Sequence, residues 1–175
     1  DIEHNGLTLN GVGNGTKIEN IYVLESADDA IEFFGGTVNV TNLLAVNPDD
    51  DMFDFTQGYC GTLKNCYGVW ESDYTSTEAD PRGIEADGNM DGLYPDHLRQ
   101  SDFKVENMTI VNNAANTADN VDRMQDVIKI RRGAKATITN ALVKGTGGAI
   151  DLVDMKDSKG AGNIESSINT VSYTH

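Results

Sequence analysis

Five asparagines fall at one phase of a repeating pattern, and that phase constrains the fold more than any other feature of the chain. They lie in Ile18-Glu19-Asn20-Ile21, Val40-Thr41-Asn42-Leu43, Leu63-Lys64-Asn65-Cys66, Val105-Glu106-Asn107-Met108 and Ile138-Thr139-Asn140-Ala141. Each reads apolar-x-Asn-apolar. A second set of segments interleaves with them: Leu7-Thr8-Leu9, Ile31-Glu32-Phe33, Phe53-Asp54-Phe55, Ile84-Glu85-Ala86, Ile128-Lys129-Ile130 and Ile150-Asp151-Leu152. These read apolar–polar–apolar, the alternation of a strand with one buried face. Their first residues are 24, 22, 31, 44 and 22 positions apart, so the basic period is 22 residues with two lengthened repeats.

A repeat that long, with one asparagine per period, suits a stack of coils. Equivalent residues of neighbouring coils lie ~4.8 Å apart, so the asparagine amides can hydrogen-bond along the stack as a ladder. Asparagine also tolerates the left-handed backbone that a tight corner requires. An up-and-down barrel would need turn signals every 8–12 residues and would not place one asparagine every 22. The pattern predicts an all-β protein, a right-handed parallel β-helix (solenoid) of about six coils, with two or three short strands per coil, an Asn ladder, and long loops on the third to fifth coils. Residues 1–175 read as a single domain. Solenoids need polar caps and none is visible, so a fragment of a longer solenoid is expected. The chain opens at Asp1 rather than Met, which implies a removed leader or a piece of something longer.

The segments Asp28-Asp29-Ala30-Ile31-Glu32-Phe33-Phe34-Gly35-Gly36-Thr37, Asp49-Asp50-Asp51-Met52-Phe53-Asp54 and Gly83-Ile84-Glu85-Ala86-Asp87 carry a resemblance. Over residues 1 to 150 the chain resembles a family of bacterial secreted or lipoprotein β-helix proteins, within the pectate-lyase-like superfold. The resemblance implies the fold and an extracellular or cell-surface location. It implies no assigned reaction, and a fold alone licenses none.

Charge points the same way for partners. There are 28 acidic residues against 13 basic, a net charge of −15. Such a chain is a poor match for nucleic acid or anionic lipid, and its acidity serves cations or simply solubility. No apolar run reaches the ~18 residues of a membrane span. The sharpest motif is Asp87-Gly88-Asn89-Met90-Asp91-Gly92, the opening of a calcium loop. Alternate side chains there converge on one centre while the glycine allows the sharp turn. Asp87, Asn89 and Asp91, with the Leu93 carbonyl, give four oxygens towards the six to eight that Ca²⁺ takes. Leu98 stands where an EF-hand has its closing glutamate, and Asp96 is the substitute at hand. A second, weaker set is a column. The outward residues of the first strands include Glu32, Asp54 and Glu85, and the turns before them add Asp28, Asp29, Asp49, Asp50, Asp51 and Asp126. Of these, Glu32, Asp54, Glu85, Asp28 and Asp50 are the further metal candidates. Like charges so close raise one another's pKa unless a cation intervenes. A plain ion-paired stack, Glu85–Lys129–Asp151, competes with metal at the far end of the column.

Catalysis needs more than acids. Carboxylate pairs at glycosidase spacing arise automatically on any acidic column of a β-helix, and His4, His97 and His175 are isolated. A calcium-dependent uronate lyase needs a cation and a basic residue to take the α-proton. Lys129 and Arg131 are the candidates, and the reading fails if both are held in ion pairs. The insertions 71–83, 88–103 and 111–126 offer loop surface, with Trp70, Tyr74 and Tyr94 at or in them. Trp70 is expected to pack beneath its loop, Cys66 to be a buried thiol, and a Cys60–Cys66 bridge to be strained. The sequence thus favours an extracellular, calcium-stabilised scaffold or binding module for carbohydrate or a cell-surface polymer. The alternatives are a calcium-dependent polysaccharide lyase and a structural segment of a surface fibre.

Overall fold

A computed structural model describes residues 4–89, 99–115, 124–160 and 164–171. The described residues form twelve strands and no helix. The odd-numbered strands are β1 (Leu7–Asn10), β3 (Ile31–Phe34), β5 (Phe53–Thr56), β7 (Arg82–Asp87), β9 (Met124–Arg131) and β11 (Ala149–Asp154). The even-numbered strands are β2 (Lys17–Leu24), β4 (Asn39–Val46), β6 (Thr62–Trp70), β8 (Asp102–Asn112), β10 (Lys135–Lys144) and β12 (Ser167–Val171). The odd strands pair in parallel in the order β1-β3-β5-β7-β9-β11, and the even strands in parallel in the order β12-β10-β8-β6-β4-β2. Each coil contributes one strand to each sheet, which is a parallel β-helix.

The asparagine phase explains why two sheets suffice. Asn20, Asn42, Asn65, Asn107 and Asn140 all hold positive φ, between 53° and 60°. A left-handed residue inside a strand swings the chain through a corner, so the apolar residues on either side of it both face inward. Leu43 and Cys66 follow Asn42 and Asn65 into the core, as Val40 and Leu63 precede them. The long even strands are therefore two short strands joined at an asparagine. The ladder itself is complete. The Nδ2 of Asn42, Asn65, Asn107 and Asn140 donates to the Oδ1 of the preceding rung at 2.8, 3.1, 2.8 and 2.9 Å. All five rungs are solvent-exposed, so the ladder is an outer seam of the solenoid.

Inward, the first strands supply a stacked aromatic and aliphatic core. Phe33 and Phe55 are in register, their rings 5.2 Å apart and nearly parallel, and Phe103 lies 4.1 Å beyond Phe55. Ile84 pairs with Phe53 on one side and Ile128 on the other, so the 44-residue interval is a single long coil. Trp70 is fully buried beneath its insertion, its Nε1 donating to the Pro48 carbonyl at 2.9 Å. Cys66 is buried, its thiol pushed up to about 12 by burial, and both cysteines are free thiols.

The last coil corrects the sequence register. Ile150 and Leu152 do not continue the columns of Ile128 and Ile130. Val153 pairs with Ile128 and Asp154 with Lys129, and on this last coil Ile150, Leu152 and Val153 are all exposed, at 48%, 62% and 40%. The turn around Gly145–Gly148 is longer than a 22-residue period allows. The Gly147 amide reaches back to the Asn112 carbonyl, and pairing resumes only at Ala149 with Met124. No described helix is long and apolar enough to cross a membrane.

Candidate functional site

The outward residues of the first strands form the predicted column. Register places Thr8, Glu32, Asp54, Glu85 and Lys129 on successive coils, with Asp154 rather than Asp151 completing it. The column points away from the core yet is less than a tenth exposed at Glu32, Asp54, Glu85, Lys129 and Asp154. Its members Glu32, Asp54 and Glu85 lie on the floor of a cleft of about 250 Å³. The turns carrying Asp28, Asp29, Asp50 and Asp51 line it, as do Phe34, Thr56, Gln57 and Asp87.

The two ends of the column are neutralised differently. At the far end, cations are built in. Lys129 is ion-paired with Asp154, and Arg82 with Glu85, with Asp80 at 2.8 Å and with Asp126 at 3.4 Å. Arg131 pairs with Glu85 and, at 2.8 Å, with Asp87, which also takes Arg132 at 3.2 Å. The expected Lys129–Asp151 contact is replaced by Lys129–Asp154, because the last coil is longer than the period. Lys129 opposes burial strongly enough that the Asp154 carboxyl titrates below its ordinary range.

At the near end, no described Lys, Arg or His is ion-paired with Asp29, Asp50, Asp51 or Asp54. Three sets of carboxylates approach so closely that one oxygen from each lies within 4.8 Å of the others: Asp28–Asp29–Asp50, Asp29–Glu32–Asp54 and Asp51–Asp54–Glu85. Backbone donors reach part of this array, such as the Asp51 amide on Asp29 Oδ1 at 3.0 Å. Asp50 Oδ1, Asp51 Oδ1 and Asp54 Oδ1 are buried without any hydrogen-bond partner. Burial, and then mutual repulsion, hold Asp29, Asp51 and Asp54 well above the usual carboxylate range. The same causes push Asp50 up to about 7. Burial takes Glu85 up to about 7 even against Arg82 and Arg131.

These donors fit a hard divalent cation. All are carboxylate oxygens, and a 4.8 Å separation matches two ligands facing each other across Ca²⁺ at ~2.4 Å. Asp87, the first residue of the sequence-predicted calcium loop, has both oxygens on arginines. Asn89 is buried, its carbonyl accepting from Thr56 Oγ1 at 3.1 Å. Asp91, Leu93 and Asp96, the rest of that loop set, lie outside the described residues, as do Tyr94, His97 and His175. The column candidates Glu32, Asp54, Glu85, Asp28 and Asp50 are brought together in the cleft, and the structure adds Asp29 and Asp51. Those two had a sequence signal. Each stands two residues before the first inward residue of its strand (Ile31 and Phe53), at the phase that Arg82 and Asp126 also occupy.

A family model described as "Pectate-lyase like beta helix domain" matches residues 1–175. No curated protein and no solved structure matches the chain. The match spans the whole sequence, and the chain belongs to the pectate-lyase-like β-helix family.

Proposed function

We propose that this family member is a bacterial extracellular or cell-surface binding module, secreted or lipid-anchored, whose acidic cleft is completed by calcium and takes a carbohydrate or cell-surface polymer. The observation that carries the reading is a pair of carboxylate oxygens, Asp51 Oδ1 and Asp54 Oδ1, buried in an acidic cleft with no donor to satisfy them. A buried unpaired carboxylate is costly, and it either binds a proton or finds a cation. Calcium answers several such oxygens at once. It accepts six to eight ligands with loose geometry, so hydroxyls or carboxylates of a bound polymer can fill positions that the protein leaves open. Magnesium holds its ligands in a tighter octahedron and suits this spacing less well.

Binding is favoured over lysis because of the bases. A uronate lyase would use Lys129 or Arg131 to take a proton. Lys129 is engaged by Asp154, and Arg131 by Glu85 and Asp87. The reading is tested by electrophoresis through gels containing polygalacturonate or a neutral glucan, in calcium and in chelator, with ultraviolet absorbance followed on the same mixtures. Retardation that needs calcium, without growth of unsaturated-uronide absorbance, is the expected result. Growing absorbance would turn the reading to a lyase, and migration indifferent to both polymers would remove the carbohydrate.

A further inference from the structure

We infer that the cleft takes two calcium ions and that Asp54 is the ligand they share. The inference rests on the cation reading above and deepens it. Asp54 belongs to two of the close carboxylate sets, with Asp29 and Glu32 on one side and with Asp51 and Glu85 on the other. Register explains why. Glu32 lies one coil before Asp54 and Glu85 one coil after it.

A single ion cannot serve both sets. The backbones of Glu32 and Glu85 are two coil steps apart, ~9.6 Å along the stack, and among the described residues no close carboxylate set brings their oxygens together. Ligands at 2.3–2.6 Å bring opposite oxygens no farther apart than ~5 Å. A carboxylate has two oxygens and about four lone-pair directions, so Asp54 can give one oxygen to each ion. Its Oδ1 is buried without a hydrogen-bond partner, as is Asp51 Oδ1, and the two residues are only 8% and 2% exposed.

Charge leads to the same number. When ionised, Asp29, Glu32, Asp51, Asp54 and Glu85 carry five negative charges, and Glu85 is met by Arg82 and Arg131. Two ions bring four positive charges, whereas one leaves most of the repulsion standing. The third close set, Asp28–Asp29–Asp50, also holds an unpartnered oxygen, Asp50 Oδ1, but two of its members are only partly buried and it joins the others through Asp29 and not through Asp54.

The test is a count of bound calcium per chain, by equilibrium dialysis with atomic absorption. Wild type and Glu32→Gln, Asp51→Asn and Asp54→Asn variants are compared. Each is also counted with Asp91→Asn added, so that an ion held by the 87–96 loop is subtracted. Two cleft ions are expected in wild type, one in Glu32→Gln, one in Asp51→Asn and none in Asp54→Asn. One cleft ion in wild type, or one remaining in Asp54→Asn, overturns the shared pair while leaving the cation reading intact. No bound calcium in wild type removes both. The amide variants delete a repelling charge, so in chelator they should melt at or above the wild-type midpoint. Lost ions with a raised midpoint cannot be blamed on misfolding, and the wild-type count stands whatever the variants do.

Discussion

Two polar columns run along the outside of this solenoid at the same coil spacing, and they solve the problem of stacking identical groups in opposite ways. The asparagine seam stacks five amides, each with a donor and an acceptor, so every rung satisfies its neighbours. The acid column stacks carboxylates, which only accept. It must import its donors, and it does so unevenly. Lysine and arginine serve the far end, while Asp51 and Asp54 at the near end each have an oxygen with nothing. A like-on-like ladder is self-sufficient when the group is amphoteric in hydrogen bonding. When it is not, the protein must supply a cation from its own chain or from solution.

The comparison breaks most visibly where the chain supplies the cation. Lys129→Met would leave Asp154 only the Lys156 ammonium, at 4.0 Å. Losing one partner of a buried pair costs ~3–5 kcal/mol, and the low end, ~3 kcal/mol, is expected because the Lys156 amide still bonds Asp154 Oδ1. Denaturant unfolding measures it. A loss below ~1 kcal/mol would mean that the far end has no need of its cations.

Acidity sharpens the contrast among the carboxylates that line the cleft, from Asp50 at the near end to Glu85 at the boundary with the far end. Asp50 and Glu85 titrate near 7 in the folded chain and near their ordinary values, ~4, when unfolded. Between those limits the native state binds more protons than the unfolded one, so stability falls as pH rises. In chelator, the thermal midpoint should therefore be highest near pH 4–5 and drop towards pH 7–8. Calcium should flatten that slope. A midpoint that climbs through this window in chelator would show that the near-end carboxylates are already paired in solution.

The smallest effect is expected at the amide seam. Asn65→Ala gives up two exposed side-chain hydrogen bonds and places Ala at φ 53°. Water replaces the bonds, so the backbone dominates, and the cost is ~1–2 kcal/mol. Asn65→Gly keeps the left-handed corner free of strain and should cost less than Ala. Equal losses would assign the seam's contribution to the amides instead.

Much of this was legible in the sequence because phase survives insertion. The asparagines keep their register across coils of 22 and of 42 residues, since each is tied to the corner it makes. The first strands likewise align through the long coil to Ile128. Phase fails where two registers look alike. Ile150-Asp151-Leu152 imitates the strand frame three residues before Val153-Asp154 supplies the true one. Depth was not legible either. Alternation says that Asp54 points outward and that Asn65 does too, but only the cleft walls decide that the first is buried and the second wet. The arginines that hold Asp87 were not legible either, since they stand 44 and 45 residues away, beyond the reach of any local motif.

The central claim, that the near end of the acid column is completed by calcium, is tested most directly by thermal unfolding of the wild-type chain at pH 7.5 in calcium and in chelator. A ligand at a hundredfold excess over its dissociation constant stabilises by ~2.7 kcal/mol, which for a chain of this size moves the midpoint by ~5–10 °C. The account predicts a rise of that order with calcium and a much smaller one with magnesium. An unmoved midpoint would contradict it, leaving the cleft a set of protonated acids.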